Sequence, residues 1–133
     1  MTTVEKYFFT PIYHPRSSWS VIRWWESRRP FFNTVIGAAG LLTLGISSAL
    51  ATLPPHPQPF ALPWGAVLVY GLMANLCYSA GAPIDLMLRR RLGDRAPAVG
   101  QALFRYGFVF SLGLTLLPIV LVAVGWVMRW FIG

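Results

Sequence analysis

Charge is what this chain has least of. Only 11% of its 133 residues are Asp, Glu, Lys or Arg, with four acidic residues against eleven basic ones, where soluble domains carry about 25%. None of the four types occurs from Pro30 through Ile84. So little charge cannot cover the surface of a small soluble domain, and 56% hydrophobic residues exclude a disordered tail. Cysteine is nearly absent too: Cys77 stands alone, which excludes an intrachain disulfide framework and a cysteine metal cluster. His14 and His56 lie outside the apolar runs, which argues against a haem or chlorophyll held through the chain's own imidazole. The first thirty residues lack a short apolar core with a small-residue cleavage site, so no secretory signal peptide is expected and the first apolar helix serves as the insertion signal. A metal triad, a nucleophile beside a positioned base and a phosphate-cradling glycine loop are also missing. The chain is expected to be no enzyme and to carry no cofactor or metal of its own.

What the chain does have is long apolar runs. A helix crosses a hydrocarbon core with about 20 apolar residues, and three stretches qualify, at about 31–53, 64–88 and 106–130. Pro54 and Pro55 end the first, and Pro63 stands where a first-turn proline is tolerated. The predicted fold is all-α and integral to the membrane: a leader over 1–30 with a short interfacial amphipathic helix, then a three-helix transmembrane domain over 31–133. Basic residues set the orientation, because those in short loops stay on the cytoplasmic side. Lys6, Arg16, Arg23, Arg28 and Arg29 precede the first span and Arg89, Arg90, Arg91, Arg95 and Arg105 lie between the second and third, whereas Arg129 alone is at the far side. This predicts a cytoplasmic N-terminus and a C-terminus on the outer side of the membrane. The same distribution argues against nucleic acid, which would need the basic residues gathered on one aromatic-studded face.

Tryptophans mark the same boundaries, since an indole at headgroup level keeps its ring apolar and its N–H wet. Trp24 and Trp25 precede the first span, Trp64 opens the second, and Trp126 and Trp130 close the third. Between Ser17 and Arg29 the spacing places Trp19, Ile22 and Trp25 near one helical face, an amphipathic segment that either lies in the interface or runs on into the first span. Residues 1–16, with Tyr7, Phe8, Phe9, Pro11, Tyr13 and Pro15, show no helical or alternating period and are expected to be mobile or laid against another protein.

Small and weakly polar residues recur at three- and four-residue steps in each span. They are Asn33, Gly37, Gly40, Thr43, Ser47 and Ala51, then Gly71, Ala74, Asn75, Tyr78 and Ser79, then Gly107, Ser111, Thr115, Pro118, Val122 and Gly125. Ordinary helix packing in lipid accounts for such stripes better than a polar pathway does. Asn75 is expected to bond across to the first or third span, because an unpaired amide in hydrocarbon is costly. Pro118 is expected to kink the third helix, with Thr115 compensating locally. Asp85 is the one acidic residue inside a span. A proton relay is its functional reading, and a solvated or interfacial pair with Arg89 at i+4 is the plainer one. Glu26 has Arg23 and Arg29 within a turn, with the second connection's basic residues as further candidates.

The set Trp24-Trp25-Glu26, Arg29, Asn33, Asn75, Cys77-Tyr78, Gly81 and Asp85-Leu86 resembles a group of small, uncharacterised multi-pass bacterial membrane proteins, and that resemblance implies no active site. The Arg- and Pro-rich usage with little Lys is similar to that of bacteria with GC-rich genomes. In size and architecture the chain looks like the accessory subunits at the edge of photosynthetic or respiratory complexes. The expected role is therefore non-catalytic, stabilising neighbouring integral membrane subunits among membrane lipids, with lipid, quinone, carotenoid or a chlorophyll-type pigment at a shared interface. A small transporter or homo-oligomeric pore is the alternative.

Overall fold

The computed structural model describes residues 2–10, 17–93 and 99–132, and every regular element among them is helical. In chain order these are α1 (Thr3–Phe9), α2 (Ser18–Glu26), α3 (Arg29–Thr52), α4 (Trp64–Leu92) and α5 (Val99–Ile132). Three stretches are long and apolar enough to cross a membrane: Ser18–Thr52, Trp64–Leu92 and Val99–Ile132. The last two helices exceed their apolar limits because Arg, Leu, Gln and Ala are good helix formers whether or not they are apolar. α4 continues through Arg89–Arg91 until Gly93, whose φ of 55° favours glycine and whose N–H returns to the Arg89 carbonyl. α5 begins at Val99 rather than near Tyr106.

The leader departs from expectation. Thr2 and Glu5 form a reciprocal capping box, Glu5 N–H donating to Thr2 Oγ1 at 3.4 Å and Thr2 N–H to Glu5 Oε2 at 2.6 Å, which starts α1 despite the missing period. α1 rests on the chain's own α5. Phe8 lies 5.2 Å from Phe108 and 5.7 Å from Phe104, ring to ring, and Gln101 Nε2 donates to the Phe9 carbonyl at 3.0 Å. Pro11, Tyr13, His14, Pro15 and Arg16, like Arg95, fall outside the described residues.

α2 is a separate helix, capped by Ser17 and divided from α3 by a turn at Ser27 and Arg28. Its inward face is Val21, Trp24 and Trp25, while Trp19 is 70% exposed, so the apolar face is rotated from the expected Trp19–Ile22–Trp25 line. Trp24 and Trp25, expected at a wet boundary, are enclosed among Phe32, Tyr78, Phe104 and Phe108. Their rings meet mostly edge to face, with Trp25 5.5 Å from Tyr78 and Trp24 6.1 Å from Phe104. Each such pair adds about 1 kcal/mol beyond the area it covers.

α5 is the common partner of the other long helices. α3 turns the stripe Phe32, Ile36, Ala39, Thr43 and Ser47 inward, and Thr43 Oγ1 donates to the Thr115 carbonyl of α5 at 2.8 Å. From α4, the Tyr70 hydroxyl bonds the Ser111 carbonyl at 3.2 Å and the Thr115 hydroxyl. α5 runs on through Pro118 without interruption, and Thr115 Oγ1 donates back to Ser111 O at 2.7 Å. At the opposite end from α2, Arg129 spends its guanidinium on main-chain oxygens, those of Leu50 at 2.7 Å and His56 at 2.9 Å, and Trp126 Nε1 donates to Pro54 O at 2.8 Å. A cation on the open carbonyls of the last turn of α3 is favourably placed against the helix dipole.

Trp25 seats on Gly81, where an added Cβ would fall 2.5 Å from the indole ring, whereas a Cβ at Gly37 meets nothing within 4 Å. Gly81→Ala is expected to lower stability by about 2 kcal/mol through overpacking. Gly37→Ala is expected to leave it unchanged or raise it. Thermal unfolding of the detergent-solubilised chain by differential scanning fluorimetry compares the two.

Candidate functional site

Two features stand out, a buried carboxylate beside α2 and a cleft between α3 and α4. Asp85 is 0% exposed, which departs from the solvated form of the expected solvated or interfacial pair, and its partner is the expected one. Arg89 Nε donates to Asp85 Oδ1 at 2.7 Å, and Trp25 Nε1 donates to Oδ2 at 3.1 Å. Gly100 of α5 closes the remaining side, since an added Cβ there would collide with Asp85 Oδ2 and lie 3.3 Å from Arg89 Nη2. The Tyr78 hydroxyl donates to the Trp25 carbonyl at 2.6 Å. A carboxylate enclosed in this way ties α2, α4 and α5 together, with both of its oxygens engaged.

Glu26 chooses Arg29, which reaches it through two nitrogens at 2.8 and 2.7 Å. Arg29 Nη2 also donates to Ser79 Oγ at 3.0 Å, and Ser79 Oγ donates to the Asn75 carbonyl at 2.8 Å. The residues Trp25, Glu26, Arg29, Tyr78, Gly81 and Asp85, scattered across 61 positions of the sequence, thus form one connected knot. Arg28 is buried beside it, 3.7 Å above the Trp24 ring, with Nη1 on the Trp24 carbonyl at 3.1 Å.

Beyond the Arg29–Ser79 contact, α3 and α4 diverge and leave a cleft of about 600 Å³ floored by Leu114, Thr115 and Pro118 of α5. Asn33, Gly37 and Gly40 form one wall and Gly71, Ala74 and Asn75 the other. Asn75 does not reach across: its Nδ2 donates to Gly71 O in its own helix at 3.1 Å. The recurrent stripe of α3 therefore divides, Thr43 bonding to α5, Ser47 buried, and Asn33, Gly37 and Gly40 lining the cleft. Ser111 and Thr115 hold Tyr70. Of the remaining tryptophans, Trp64 and Trp130 are 65% and 58% exposed.

Gly100, Phe104 and Phe108, which complete the buried end, escaped the sequence reading, although their four-residue spacing was a usable signal. Among the described residues no three of His, Cys, Asp or Glu come together as a metal site would require. No family model matches the chain, and comparison with curated proteins and with solved structures gives no match.

Removing one partner of a buried ion pair leaves the other uncompensated, at about 3–5 kcal/mol, while an exposed pair contributes below about 1 kcal/mol. Asp85→Ala is expected to cost at least about 3 kcal/mol and Glu26→Ala less than about 1 kcal/mol, read from denaturant midpoints in mixed micelles. Equal losses would show that burial of Asp85 does not govern the knot.

Proposed function

We propose that this chain is a multi-pass protein of the bacterial inner membrane, N-terminus cytoplasmic and C-terminus periplasmic, acting as a non-catalytic accessory subunit of a larger photosynthetic or respiratory complex. The observation that carries this reading is the set of outward-facing glycines. At Gly45, Gly107, Gly113 and Gly125 an added Cβ would meet nothing within 4 Å. Each glycine inside a helix costs about 1 kcal/mol relative to alanine, and here none of these four is needed for a close approach within the chain. In lipid, small residues on a helix face let a neighbouring backbone approach, so the four mark faces for other subunits.

Two further features support the reading. In the most apolar window of each long stretch only 17%, 6% and 11% of residues are buried within the chain, leaving the outer faces to lipid and neighbours. Lys6, Arg23, Arg28, Arg29, Arg89–Arg91 and Arg105 belong to the end built around α2, while Arg129 is bound at the other, the asymmetry that retains one end in the cytoplasm. The subunit's action is to hold its neighbours in place, the α2 knot acting as a rigid cytoplasmic foot.

Purification from native membranes in mild detergent, followed by native mass spectrometry, is expected to recover the chain in a larger assembly. Gly107→Leu with Gly113→Leu is expected to release it without lowering its own melting temperature. Recovery of the unaltered chain solely as a free monomer would overturn the proposal, and reporter fusions placing both termini on one side would overturn the topology.

A further inference from the structure

The cleft between α3 and α4 changes character along its length. At one end Arg29 and Ser79 close it. One turn further in, Asn33 on α3 and Asn75 on α4 stand at the same level, because the two helices run in opposite directions from that contact. The Asn33 carboxamide makes no hydrogen bond to any described residue, and Asn75, whose main-chain carbonyl takes Ser79, keeps its side-chain Oδ1 and one amide N–H unbonded after donating to Gly71. From there to Leu44, about 16 Å of helix, the walls are apolar and glycine-lined, and the Tyr70 hydroxyl is turned away to α5.

Size and charge select the occupant. The cleft's volume of about 600 Å³ falls within the about 300–1,000 Å³ of small-molecule sites. No Asp, Glu, Lys, Arg or His lines the cleft, and Arg29 at its closed end is already engaged by Glu26, so an anionic headgroup finds no counter-charge. The amide N–H groups that Asn33 and Asn75 leave unused in this apolar setting instead suit an uncharged head rich in carbonyl acceptors.

We propose that the cleft binds one lipid-soluble molecule of the prenylated quinone class, its ring between Asn33 and Asn75 and its tail along Gly37, Gly40 and Gly71. This rests on the membrane-embedded reading and not on the subunit reading. Release of the chain from membranes by alkaline carbonate would remove the membrane reading and this one together, while loss of partner subunits leaves the binding unaltered.

The test is photolabelling of the full chain in phosphatidylcholine nanodiscs with an azidoubiquinone bearing a decyl tail. Labelling is expected to saturate, to map to α3 and α4, and to be competed by decylubiquinone. Gly37→Leu, which places a side chain in open cleft, is expected to reduce it at least about tenfold with the melting temperature retained. Asn33→Leu with Asn75→Leu is expected to weaken it about tenfold, the loss of one to two net hydrogen bonds. Labelling that is spread over all outward faces, or unchanged in Gly37→Leu, would overturn the site. Competition by dioleoylglycerol equal to that by decylubiquinone would overturn the quinone class, and cross-links from the cleft to a helix of another subunit would overturn a small-molecule occupant.

Discussion

Taking the Asp85 carboxylate wholly out of water costs several kcal/mol unless both of its oxygens are engaged, and the means of engaging them order everything around it. Arg89 is available from the next turn of the same helix, but the second oxygen is met by the indole of Trp25, 60 residues away in sequence. That donor arrives only because Gly81 leaves room for the ring, and the closure is finished only because Gly100 has no side chain. With Trp25 fixed, α2 is fixed, and Trp24 and Arg28 then hold the end of α1 by its Thr10 carbonyl at 3.3 and 3.5 Å. A chain of single contacts thus runs from one buried charge to the N-terminal segment.

The long helices follow a different logic. Polar atoms tie α3 and α4 each to α5, through Thr43 to Thr115 O and through Tyr70 to Ser111 O. α3 and α4 meet each other at Phe32–Tyr78, 4.7 Å between ring centroids, and at Arg29–Ser79. The small residues are correspondingly divided among three duties: close internal approach at Gly81 and Gly100, the walls of a cleft at Gly37, Gly40 and Gly71, and bare outer surface at Gly107, Gly113 and Gly125. In a bilayer, where apolar surface is not itself driven together, such a division governs which neighbours a helix accepts.

The helical class and the three long apolar stretches were legible because they rest on composition and on runs of about 20 residues, which local sequence states outright. Helix ends were less so, since Arg89–Arg91 look like the end of a span while being good helix formers. The face of α2 was misread because Trp19 and Trp25 share a face on a helical wheel, whereas only the partner surface decides which edge of that face is covered. α1 was missed because its start depends on a capping box at Thr2 and Glu5 and its place on rings from α3 and α5. Asp85 with Arg89 was readable from i+4 spacing. Its indole donor and its burial were not, because both come from contacts distant in sequence.

The arrangement around α5 also constrains the order in which the molecule can be completed. The helix that joins the other two follows both of them in the chain, and the cation on the final turn of α3, Arg129, lies 79 residues downstream of the Leu50 carbonyl it meets. Until that segment has emerged, α3 ends on open carbonyls, Thr43 and Tyr70 have no cross-helix partners, and Asp85 lacks its cover at Gly100. Without it the first two long stretches would be joined to one another only at the α2 end, through Trp25 on Gly81 and Asp85, Phe32 on Tyr78 and Arg29 on Ser79.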